Sequence, residues 1–281
     1  MYDFFILPFE NYIFLRRALV ACLALSMSCA PMGVLIVLRR MSLMGDALSH
    51  SILPGVALGF LLSGLSLPMM SLGGFISALL VAFLAGIVSR TTLLREDASL
   101  VGFYLISLAF GSLIVSIKGT NIDLMHILFG TILAVDNASL LLVAGISSVT
   151  LVMGALIYRP LIIECFDPSF MRSLGGLGSL YHGLFIMLIV LCMVASFQAL
   201  GTLMALGLMM LPAIAARFWA EEIGALFIIA FIIASLSGYI GLLLSYHYVW
   251  PSGPSIILVA GLFYIISLLI GRYGSIWKTY K

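Results

Sequence analysis

Asp46 and His50 stand four residues apart in "MSLMGDALSH" (41–50), at the mouth of a long apolar run. A carboxylate oxygen and an imidazole nitrogen form a ligand pair suited to Zn²⁺, Mn²⁺ or Fe²⁺. On a helix, positions i and i+4 share a face, so both side chains point the same way, with Ser42 and Ser49 nearby. Two ligands are too few for a tight site. Two copies facing each other across a two-fold axis would supply two carboxylates and two imidazoles, enough to replace part of an ion's hydration shell and then release it. Plainer readings stay open. Asp46 follows Gly45 at a helix start, where Asp is a favoured cap; His50 could be a polar residue satisfied between helices; the two could relay a proton. An Asp near the centre of a membrane helix costs roughly 2.5–3.5 kcal/mol on insertion scales, so such groups usually face a cavity, partner or pathway.

Further along the same segment, Pro54 frees a backbone carbonyl, and Gly55 and Gly59 permit close helix approach. These fit a helix that lines a pathway, and they are also ordinary in membrane helices. "GTLMALGLMMLPAIAARF" (201–218) is Gly- and Met-rich with Pro212 near its inner end. It reads as a core helix, with mobile packing as the alternative. Asp123 and His126 read as surface groups or, alternatively, as entry ligands.

A different kind of signal lies in "RPLIIECFDPSFMRSLGGLG" (159–178). Asp167 is a good N-cap, Pro168 fits the first helical position and Gly175 reads as the stop after Leu174. The expected helix, about 168–174, presents Phe170, Met171 and Leu174 beside Arg172. That mixture suits docking into a partner's groove or resting among lipid headgroups.

The elements that must position these residues are transmembrane. Hydrophobic residues make up 63% of the 281 and charged residues 9%, against about 45–50% and 25% in soluble domains. Several runs of about 18 residues carry no charge, the length that spans a bilayer core. The fold class is an all-α polytopic membrane protein. Nine spans are expected, near 14–38, 47–65, 71–89, 98–117, 138–158, 181–198, 200–216, 224–245 and 254–272, in a single membrane domain covering 1–281. The stretch 121–135 is too short and polar-tipped to span and reads as a partial helix at one surface.

Orientation follows from the basic residues. Arg39, Arg40, Arg90, Arg95, Arg159, Arg172, Arg217, Arg272, Lys278 and Lys281 collect on one face; Arg16, Arg17 and Lys118 collect on the other. The rich face is expected in the cytoplasm, which puts the N-terminus outside and the C-terminus inside. The N-terminus shows no removable signal peptide. The outer loop "SYHYVWPSGPS" (245–255) reads as an aromatic belt or a docking surface.

The formal charge of +2 and the lack of a basic run exclude nucleic-acid binding. Cys22, Cys29, Cys165 and Cys192 lack metal-cluster spacing and read as packing residues. The chain has no Walker A sequence, and neither HExxH nor GxGD for an intramembrane protease, so it is not expected to be an enzyme. A stand-alone secondary transporter or channel is a rival reading.

Together, "SLMGDALSHSILPGVALG", "FDPSFMRSLG" and "GTLMALGLMMLPAIAAR" resemble three segments of the membrane permeases of ABC importers for zinc, manganese and iron, in order and with fitting spacing. The resemblance implies a permease of the inner membrane, homodimeric or pseudo-dimeric, working with two cytoplasmic ATPase subunits and an extracytoplasmic metal-binding protein. It implies that Asp46 and His50 lie on the translocation path, with the divalent metal as transported substrate rather than resident cofactor. It also implies that residues 167–175 dock on the ATPase. "SHSILPG" is closer to manganese and iron members than to zinc ones. The implied fold is similar to that of vitamin B12 and siderophore permeases, with one fewer span at the N-terminus. A metal chelate such as a siderophore remains an alternative substrate.

Overall fold

A computed structural model describes residues 5–64, 66–117, 135–167, 170–171 and 178–273. In chain order the helices are α1 (Leu7–Asn11), α2 (Ile13–Leu38), α3 (Ser42–Ser63), α4 (Leu67–Thr91), α5 (Glu96–Ile117), α6 (Asn137–Leu156), α7 (Tyr158–Phe166), α8 (Gly178–Leu200), α9 (Thr202–Ala216), α10 (Ile223–Tyr248) and α11 (Ser252–Ile270). Among the described residues, eight are long and apolar enough to cross a membrane. The protein is a multi-pass, all-helical membrane protein.

The seventh expected span, 200–216, is the shortest of the nine. α9 has 15 residues, about 22 Å at 1.5 Å per residue, short of the roughly 30 Å hydrocarbon core. Its length is set by Gly201, the one residue between α8 and α9, at φ 86° and ψ 167°. That conformation is essentially restricted to glycine, so the helix breaks there and restarts. α7 was not expected as a separate helix. α6 ends at Leu156, and Ile157, at φ −98° and ψ 13°, turns the chain into α7.

Helix ends obey local rules. Asp136 caps α6, its Oδ1 accepting the Ser139 N–H at 2.8 Å. Pro68 sits in the first turn of α4, where no N–H is needed. Gly64, at φ 64°, ends α3. Inside the helices, serine hydroxyls return to their own backbones: Ser26 donates to the Cys22 carbonyl and Ser237 to that of Ile233, both at 2.7 Å. Those two hydroxyl hydrogens are thereby kept from apolar surroundings.

α2 and α8 form the centre. Two-thirds of each span (67%) is buried, against 22% for α5 and α6. Cys22, Leu25, Cys29, Phe185, Ile189, Met209 and Ala213 pack there with almost no exposure. Gly33 of α2 lies against the Met209 carbonyl of α9, leaving no room for a Cβ. On one flank α3, α4 and α5 pack as a three-helix unit, joined to the centre through α8 and α9; on the other, the α10–α11 pair packs on α2 and α9.

Candidate functional site

α3 begins at Ser42, with Met41 at the cap position and no side-chain cap. Asp46 therefore sits more than a turn inside the helix, not at its start, and capping is not what it does. His50 Nε2 lies 3.6 Å from Asp46 Oδ1, beyond a normal hydrogen bond. The two side chains are 30% and 45% exposed in the single chain, His50 and Asp46 respectively. With partly exposed Leu53 and Ala57 they form one open stripe along α3. Met44, Ala47, Leu48 and Ile52 of the same helix pack inward.

The His50 ring stacks on Tyr104 of α5, centroids 5.8 Å apart and planes inclined 24°. That contact leaves Nε2 toward Asp46 and the open side. Nδ1 is buried and has no hydrogen-bond partner among the described residues. Two ligand atoms of borderline and hard character thus face outward from one helix. Among the described residues, no group of three or more His, Cys, Asp or Glu is placed to hold a metal.

Ser49 does not join the pair. It is buried, and its hydroxyl donates to the Gly45 carbonyl at 2.8 Å, with Met193 Sδ 3.5 Å away. Pro54, Gly55 and Gly59 face the neighbouring helices rather than the open stripe. Gly55 and Gly73 press backbone to backbone, a Cβ on Gly59 would meet the Met69 carbonyl at 2.6 Å, and Pro54 lies under Gly111 of α5. Pro212 lies within α9. Asp123 and His126 lie outside the described residues.

At the segment after α7, Asp167 Oδ1 accepts the Phe170 N–H at 2.9 Å, the geometry of an N-cap. Phe170 is 49% exposed, whereas Met171 is buried. Pro168, Arg172, Leu174 and Gly175 lie outside the described residues.

Sequence reasoning missed a chain of buried and half-buried polar side chains. Arg39, at the end of α2, points its Nη2 at Glu164 Oε1 of α7, 3.6 Å away, and its Nη1 at His182 Nδ1 of α8, 2.8 Å away. His182 Nε2 lies 2.8 Å from Glu96 Oε1 at the start of α5. The guanidinium also stands over the Phe185 ring at 5.1 Å. Arg39 was counted only as a loop charge. The available signal was Glu164 itself, a carboxylate inside "LIIECF", where apolar neighbours on both sides imply burial. Beside it, burial pushes the Cys165 thiol up to about 11.

The chain belongs to the ABC 3 transport family, whose profile matches residues 11–271. Manganese import system permease protein ScaB of Streptococcus parasanguinis is 31% identical over 266 residues, 95% of this chain and 94% of that protein. Chelated iron transport system membrane protein YfeD of Yersinia pestis is 31% identical over 263 residues, 93% of this chain and 86% of that one. Among solved structures, PsaBC from Streptococcus pneumoniae in complex with Fab superposes with a TM-score of 0.87 at 29% identity, covering 100% of both chains. A metal-chelate type ABC transporter in an inward-facing conformation shares the fold, with a TM-score of 0.70 at 14% identity over 89% of this chain and 84% of that one.

Proposed function

We propose that this chain is the membrane permease of an ATP-driven importer of a divalent metal ion, with manganese the first candidate substrate. The observation that carries the reading is the Asp46–His50 pair, held open on α3 where a second chain could reach it. The manganese and iron permeases among its relatives support the substrate class.

Two copies of the chain, meeting along the open stripe of α3, bring two carboxylates and two imidazoles to one ion. His50 ligates through Nε2 as neutral imidazole, since a protonated ring has no lone pair to give. A tightly held metal usually has its histidine's other nitrogen anchored by an acceptor. Nδ1 of His50 has none among the described residues. Its grip is accordingly weak, as suits an ion that must leave.

The chain functions as one membrane domain, N-terminus outside and cytoplasmic face at the α2–α3 turn and α7. Two ATPase subunits dock on that face against residues 167–175, with exposed Phe170 as the anchor. A metal-binding protein delivers the ion from outside. ATP binding and hydrolysis in the partners drive alternating access, so the permease itself performs no chemistry.

Uptake of radioactive manganese and zinc into vesicles holding the permease with its co-purified ATPase tests this reading. Asp46→Ala and His50→Ala should abolish uptake while leaving the ATPase bound. Full transport by both variants would remove the pair from the ion's path.

A further inference from the structure

We propose that Arg39 and Glu164 are positioning residues for transport, joining the ATPase-docking segment to the helix that carries Asp46 and His50. The inference rests on the reading of 167–175 as the docking segment.

The placement is short at both ends. Arg39 closes α2, and the turn Arg39–Arg40–Met41 leads directly into α3, which carries Asp46 in its second turn. Arg40 holds this turn at φ 58°, a left-handed conformation that a non-glycine residue keeps only when its surroundings impose it. At the other end, Glu164 lies three residues before Asp167, the cap that orders Phe170. The Arg39–Glu164 pair thus reaches from seven residues before Asp46 to six residues before Phe170.

The chemistry of the chain is directional. Arginine offers donors only, so the 2.8 Å contact makes His182 Nδ1 the acceptor. His182 then carries its proton on Nε2 and donates it to Glu96. One guanidinium therefore holds α7 with one nitrogen and, through His182, α8 and α5 with the other. Both side chains of the Arg39–Glu164 pair are almost fully buried, at 9% and 8% exposure. Buried pairs of this kind are poor stabilisers compared with apolar packing, because desolvation offsets the attraction.

Nor is the pair closed. The 3.6 Å separation leaves the ion pair loose, and Glu164 Oε2 has no hydrogen-bond partner among the described residues. Gly178, at the start of α8, passes so close that a Cβ there would stand 3.0 Å from that oxygen. A buried carboxylate with one oxygen unmet and an arginine shared between two acceptors has two arrangements available. In one, Arg39 leans to His182; in the other, it closes on Glu164. An element with two discrete arrangements, touched by both sites, is the physical requirement for coupling between them.

The test compares Glu164→Gln, Arg39→Lys and the double variant Arg39→Met/Glu164→Met in vesicles with the co-purified ATPase. Manganese moved per ATP hydrolysed is measured for assembled complex only. The double variant replaces a buried ion pair with apolar side chains of similar size, which folds tolerate. Glu164→Gln keeps the size while removing the charge. The expected result is normal ATPase binding and hydrolysis, with the transport ratio lowered about tenfold in all three. A ratio equal to wild type in Glu164→Gln or in the double variant overturns the proposal. So does a fall in transport and hydrolysis in equal proportion, which marks a purely structural role. Failure of the underlying reading is seen separately, as Phe170→Ala retaining its full complement of ATPase.

Discussion

The imidazole of His50 rests on the ring of Tyr104, centroids 5.8 Å apart, so a side chain on α5 sets the direction of the imidazole on α3. Such ring pairs contribute about 0.5–1.5 kcal/mol. Tyr104→Phe should transport manganese as wild type does. Tyr104→Leu should raise the KM for manganese by roughly 2–10-fold, with ATPase assembly unchanged. Concentration-dependent uptake measures it. Equal behaviour of the two variants would show that the stack does not orient His50.

The α3–α4 contact depends on the missing Cβ at Gly55, which would run into the Gly73 carbonyl. Gly55→Ala should lower stability by about 1–3 kcal/mol through overpacking. Gly86→Ala on α4, where a Cβ meets nothing within 4 Å, is the control and should be neutral or slightly stabilising. Thermal unfolding in detergent reads both. A stable Gly55→Ala protein would mean that the two backbones can separate freely.

At Gly201 the backbone takes φ 86° and ψ 167°. Any L-residue there should cost about 1–3 kcal/mol. Gly201→Ala and Gly201→Val should both unfold earlier than wild type, Val more so because of its branched Cβ. If neither moves the unfolding midpoint, the break between α8 and α9 does not need glycine.

Hydrogen bonds from Ser139 hold the Asp136 carboxyl below its ordinary range. A depressed carboxyl stabilises the fold above the unfolded carboxylate pKa, and loses that contribution as pH falls through its folded value. Asp136 is exposed, so Asp136→Ala should cost only about 0.5–1 kcal/mol near neutrality. The gap between the two proteins should close as the pH is lowered through the carboxylate range. Unfolding midpoints against pH check it, and a gap independent of pH would assign the loss to something other than the cap.

What could be read from the residues alone was whatever local chemistry dictates. Charge-free runs marked the spans, since an apolar helix of that length satisfies its own backbone in lipid. Spacing put Asp46 and His50 on one face, and Asp167 announced the cap that now receives the Phe170 N–H. Tertiary structure decided the rest. Lipid is as apolar as the interior of the bundle, so a membrane helix carries little pattern to distinguish its buried face from its outer one. For that reason the sequence left open that Gly55 and Gly59 close α3 onto α4, that Ser49 turns inward, and that the Asp46–His50 stripe stays open. The meeting of Arg39, Glu164, His182 and Glu96 was invisible for a second reason. These four come from four separate helices or helix ends, up to 143 residues apart between directly bonded partners, and only packing brings them within reach of one another.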